Sequence, residues 1–180
     1  MRHSFRKFNF HGLSGIFIAL ALVGAICFLS YILMQNPYQF IHKDILKTAD
    51  NIRSYYRDSP GYWKLDTNAA QNASLIAEEL LQHPEFDLKI GQGANGELSM
   101  PYNITFDITI SHLNKSACIG LSETKISEKH RIGLHKITIL TPDKTTEFVW
   151  GDKEHGLPIS KWETRHICQS TENKIIWTFQ

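Results

Sequence analysis

The chain has 180 residues, 42% of them hydrophobic and 21% charged, with 19 basic side chains against 18 acidic. This length fits one domain, or one domain with an appendage. The even charge argues against a nucleic-acid binder, which needs a clear Lys/Arg excess on one face, and the hydrophobic share argues against disorder.

The apolar residues are concentrated near the N-terminus. From Leu13 to Met34 the sequence LSGIFIALALVGAICFLSYILM carries no charged residue. As a helix it spans roughly 33 Å, against a hydrocarbon core of about 30 Å, and so reads as a transmembrane segment in a lipid bilayer. Gly15 and Gly24 weaken a helix in water but are common in membrane helices, where they allow close helix packing. Residues 1–12 form a basic leader with Arg2, Arg6 and Lys7 and no acid. Such a flank is held on the cytoplasmic side, which places everything after Met34 across the membrane. A cleaved signal peptide is the competing reading. It expects a shorter apolar core and a small-x-small cleavage site, whereas this run ends in the bulky Tyr31-Ile32-Leu33-Met34.

Residues 35–60 extend the rod as an amphipathic helix, with Pro37 placed to kink it. Phe40, Ile41, Ile45, Thr48/Ala49, Ile52 and Tyr55/Tyr56 recur at the three-and-four spacing of one helical face. Lys43, Asp44, Lys47, Asp50, Arg53 and Arg57 fall mostly on the others, and Asp58-Ser59-Pro60-Gly61 breaks the pattern.

The remaining residues, 61–180, read as a mixed head. Asp66 or Thr67 caps a helix over about 68–83, ended by Pro84. Gly91 to Gly96 is a turn cluster. The alternation of Ile104, Phe106, Ile108 and Ile110 with Thr105, Asp107 and Thr109 predicts a strand with one buried face. Ser116 opens a short helix to about Glu123. Further strands are predicted at Leu134–Leu140, Thr145–Trp150 and Lys174–Phe179, joined through Thr141-Pro142-Asp143 and a longer stretch over 151–160. Helices first and strands later define an α+β head with an antiparallel sheet.

Cys27 reads as a small buried hydrophobe within the apolar run. Cys118 and Cys168 both fall on the far side of the membrane, where an even pair suggests a disulfide, with two free thiols as the alternative. Closing a loop of about 50 residues is worth roughly 4 kcal/mol on the chain-entropy account. No CxxC occurs, which disfavours a thiol oxidoreductase.

The catalytic motifs fail one by one. Gly91-x-Gly93-x-x-Gly96 matches the dinucleotide fingerprint as a string, but a strand-like stretch follows it and Pro101 intrudes, so no cofactor is expected. The nine histidines form no HxH or HExxH and read as surface residues rather than metal ligands. Glu78-Glu79 reads as a solvated helix face. Three Asn-x-Ser/Thr strings, at Asn72, Asn103 and Asn114, decide little in a chain this rich in those residues. A membrane-anchored ectoenzyme would need a polar cluster that the sequence does not display.

The stretch Gly12-Leu-Ser-Gly-Ile-Phe-Ile-Ala-Leu-Ala-Leu22 is similar to the start of type IV pilins, a glycine-ended basic leader running into an apolar helix. Asn51-Ile-Arg-Ser-Tyr-Tyr-Arg-Asp-Ser-Pro-Gly-Tyr62 is similar to the N-I-R-x-x-Y…GY signature that ends the long helix of type IVb pilins. Cys118, Cys168 and the closing Asn173–Phe179 resemble that family's disulfide-bounded region and final strand. The chain thus resembles type IVb pilins of the thin-pilus type and their minor pilins and pseudopilins. The resemblance is strongest over 12–62 and weak through 85–165.

It implies cleavage by a prepilin peptidase after Gly12, leaving Leu13 as the new N-terminus, with Gly15 a poorer second candidate. It also implies a place among other pilin-like subunits and their assembly machinery, with no enzymatic activity. The family's glutamate at the fifth mature position is Phe17 here, or Leu20 in the Gly15 register. A carboxylate in hydrocarbon is retained only with a partner, and Phe17 cannot form that pair with a neighbouring N-terminal amine. The departure fits a minor or tip subunit, or an uncleaved signal-anchor component of an envelope secretion or conjugation complex.

Overall fold

The computed structural model describes residues 21–25, 38–83, 85–93, 104–122 and 133–180. Two compact units divide the chain, residues 1–36 and residues 37–180. Of the first, residues 21–25 are helical and exposed. Among the described residues no helix is long and apolar enough to cross a membrane. Apart from 21–25, the predicted span over 13–34 lies outside them, as do Gly12, Leu13, Gly15, Phe17 and Pro37.

The second unit is α+β. Helix α1 (Tyr38–Tyr55) is followed by two short helices, α2 (Thr67–Asn72) and α3 (Glu78–Leu81). Strands β1 (Asp87–Gln92) and β2 (Phe106–Leu113) come next, then α4 (Lys115–Ser122), β3 (Leu134–Leu140) and β4 (Thr145–Val149). Helix α5 (Lys161–Ile167) and strand β5 (Asn173–Phe179) complete the fold. The five strands form one antiparallel sheet in the order β1-β2-β5-β3-β4, as the α+β reading expects.

The register explains the core. Residues directly opposite in an antiparallel pair share a face. One row therefore runs across all five strands as Ile90, Ile108, Trp177, Ile137 and Phe148. A second row is Leu88, Ile110, Ile175, Ile139 and Thr146, and Phe106 stands opposite Phe179 in a third. Helix α1 joins this face in a single hydrophobic core through Ile41, Ile45, Leu46, Ala49 and Ile52. The opposite face is polar: Lys89, Thr109, Ile176, Thr138 and Glu147 make one row, Asp107, Thr178 and Lys136 part of the next.

Several sequence expectations need correction. The predicted helix over 68–83 is two helices separated at 73–77. Helix α2 starts as expected, with Asp66 Oδ1 accepting the Ala69 N–H at 2.7 Å. It ends early because Ser74 turns left-handed (φ 54°). The Ser74 N–H then reaches Gln71 O and the Leu75 N–H reaches Ala70 O, closing the helix in a Schellman motif. This turn buries Leu75, Ile76 and Ala77, which a continuous helix would have spread over two faces.

Gly91, read as a turn, lies in β1, whose edge position leaves only Ile90 fully buried. Helix α4 is opened by Asn114 rather than Ser116, with Asn114 Oδ1 accepting the Ala117 N–H at 2.9 Å. Helix α5 falls where no element was expected. Ile104 precedes β2 and, with Phe40 and Tyr55, is exposed, because each sits at the margin of its apolar stripe. Helix α1 ends at Tyr55, short of 60.

Candidate functional site

The residues that the sequence singled out in Asn51–Tyr62 converge where α1 ends on the head. Three of them act on different partners. Asn51 Nδ2 donates to Leu75 O at 3.0 Å, one helical turn from Thr48, whose Oγ1 accepts the Ala77 N–H at 2.9 Å. Both side chains thus bind the backbone released by the break between α2 and α3, and satisfy polar groups that burial would otherwise penalise. Ile52 is completely buried in the core.

Arg53 lies across Gly133, where the backbone is left-handed (φ 107°) and a Cβ would meet the guanidinium at about 2.9 Å. Only glycine meets both demands there. Arg53 also donates to the Tyr62 phenol, whose pKa burial pushes up while Arg53 opposes the shift. Tyr62 is itself buried and begins an aromatic path, packing on Tyr56 at 5.6 Å and on Phe106 at 4.5 Å between ring centroids. Phe106 in turn stacks on Phe179 of β5 at 5.3 Å. The end of the helix is therefore tied to the α2–α3 connection, to the start of β3 and to the central strands.

The opposite flank is held covalently. Cys118 of α4 and Cys168, the residue closing α5, form the disulfide, with Cα atoms 5.9 Å apart and both residues buried. Helix α5 carries a capping box: Ser160 Oγ accepts the Glu163 N–H, and Glu163 Oε2 accepts the Ser160 N–H at 3.0 Å. Beside it, fully buried Asn173 accepts from Gln169 N–H at 2.8 Å and donates to Leu113 O at 2.8 Å and Gln169 O at 2.9 Å. Those bonds pin the residues after α5 to the end of β2, where the ladder shifts register.

The remaining sequence candidates are dispersed. Gly24 is helical and its Cβ position faces open space among the described residues. Gly91 and Gly93 flank the end of β1, and Gly96 lies outside the described residues. Among the described residues no group of three metal-ligating side chains is found. The histidines are not uniformly on the surface: His42, in α1, is buried. Glu78 and Glu79 are exposed as expected, and Glu79 pairs with Lys47 at 3.5 Å, which helps hold its carboxyl below the usual range, after its own backbone N–H.

No protein-family model, curated protein or solved structure matches the chain.

Proposed function

We propose that the chain is a structural subunit of a type IV pilus or pseudopilus, of the type IVb minor-pilin or pseudopilin kind, with no enzymatic role. The observation that carries this reading is the anchoring of the Asn51–Tyr62 motif. Asn51, Ile52, Arg53, Tyr56 and Tyr62 join an amphipathic helix to an antiparallel sheet at one end of a disulfide-closed head. Such anchoring fixes the helix to the sheet within residues 37–180, as the head of a fibre subunit requires.

In this reading residues 13–34 span the inner membrane, with residues 1–12 cytoplasmic and the head periplasmic. Prepilin peptidase cuts between Gly12 and Leu13. The apolar segment then passes from lipid to a bundle of like helices, which keeps it out of water throughout. Gly15 and Gly24 favour close approach in that bundle, and Pro37 marks the junction with the amphipathic half.

Phe17 favours a second reading. Without a glutamate at that position the chain lacks the charge pair that would register a neighbouring subunit. An uncleaved signal-anchor component of a secretion or conjugation complex, with the head as a docking module, would have no need of the pair. Fractionation separates the two. Recovery of the chain in sheared surface fibres supports the pilin reading. A fixed stoichiometry in a detergent-extracted membrane complex, with none in fibres, supports the anchor.

A further inference from the structure

A groove of about 630 Å³ lies at the end of α1, between the helix, the turn over 58–62 and the ends of the flanking strands. Its lining side chains are mostly cationic and hydroxyl-bearing. Arg53 and Arg57, one turn apart, both line it, together with the hydroxyls of Ser54 and Ser59 and the phenols of Tyr56 and Tyr62. Burial raises the pKa of both tyrosines, so at neutral pH they remain hydrogen-bond donors rather than anions. Among the described lining side chains the single carboxylate is Asp50, which stands 3.8 Å from Arg53.

Arg57 is exposed and enters no ion pair among the described residues. Arg53 is oriented by the Tyr62 phenol and by Asp50, and its guanidinium lies close beside Gly133. The carbonyl end of the α1 dipole opposes an anion here, so the guanidinium charges must outweigh it; two of the carbonyls are already engaged. Ile52 O accepts from the Tyr56 N–H at 3.0 Å, and Tyr56 O from the Ser59 N–H at 2.9 Å.

We infer that this groove binds an oxyanion, a carboxylate or phosphate group, between the guanidinium groups of Arg57 and Arg53, against the Tyr56 and Tyr62 rings. Guanidinium presents paired N–H donors that match the oxygens of either group, and the phenols add further donors. Pro60 and Ile104 supply an apolar margin for the remainder of the ligand. The inference rests on the groove alone and not on the assembly reading.

The test is an NMR titration of the full chain in detergent micelles, at physiological ionic strength, with inorganic phosphate and with glucuronate as separate probes. Saturable shifts confined to residues around Arg53, Arg57 and Tyr62 are expected with at least one probe, and the probe that saturates assigns the anion. Arg57→Gln, a change at an exposed position, should weaken that binding about 10-fold, and Tyr62→Phe less. Lys153→Gln, on a remote exposed turn, should leave it unchanged. Absence of saturation with both probes overturns the inference. So does equal weakening by Arg57→Gln and Lys153→Gln, which would mark general charge attraction.

Discussion

The two faces of the sheet are built from the same five strands and obey opposite rules. On the inner face Ile108, Ile110, Ile137, Ile139, Phe148, Ile175 and Trp177 are essentially inaccessible, and α1 helps to cover them. On the outer face polar side chains satisfy one another, with Thr138 and Thr178 buried among more exposed neighbours. Thr178 Oγ1 donates to Asp107 Oδ1 at 2.7 Å, and Lys136 Nζ reaches Glu147 Oε1 at 2.8 Å. Because the strand period is two, a single residue of register slip would exchange the faces. The inner face therefore carries the specification of the fold, and the outer face is tolerant.

That contrast can be broken by substitution, starting with the largest expected effect. Trp177→Ala should cost about 3–5 kcal/mol in chemical denaturation, since it empties the middle of a row that crosses every strand. Asn173→Ala should cost about 2–3 kcal/mol, because it strands the buried Leu113 carbonyl and the partly buried backbone groups of Gln169. Thr48→Val keeps the shape but leaves the Ala77 N–H without its acceptor, for an expected loss of about 1–2 kcal/mol. Lys136→Gln, on the outer face, should change stability by less than about 1 kcal/mol. If Lys136→Gln proved as damaging as Trp177→Ala, the two faces would not differ as described.

Asp44 sharpens the same contrast through pH. Partial burial raises its pKa above the usual carboxylate range, assisted by Glu79 and opposed by Lys47, His83 and Lys43. A carboxyl raised in the folded state binds protons more readily folded than unfolded, so its contribution to stability falls as pH rises through the carboxylate range. Asp44→Asn should therefore raise the melting temperature slightly at pH 7. The difference should vanish once the medium is acid enough to protonate Asp44 in both states. A larger benefit in acid than at pH 7 would reverse the sign.

Legibility in the sequence followed burial. Strands β3, β4 and β5 were readable to within a residue, because their alternation reports one wet and one dry face. Strand β1 was not, since an edge strand reading Asp-Leu-Lys-Ile-Gly-Gln buries too little to alternate clearly. The break between α2 and α3 was hidden because Ser74 adopts the left-handed turn that glycine usually marks. Helix α5 did leave a signal, the Ser160-x-x-Glu163 capping box, starting at the end of the connection over 151–160.

The motif of the candidate site was legible as a string, while its partners were not. Leu75 O and Gly133 lie 24 and 80 positions from Asn51 and Arg53, and no local pattern announces such contacts. The disulfide was accessible because only two cysteines followed the apolar run.

The central claim, that this is a processed fibre subunit, is tested most directly by intact-mass and N-terminal peptide analysis of the membrane protein co-expressed with a prepilin peptidase. The account predicts loss of residues 1–12 and a mature chain beginning at Leu13. A chain that retains Met1 under those conditions would contradict it.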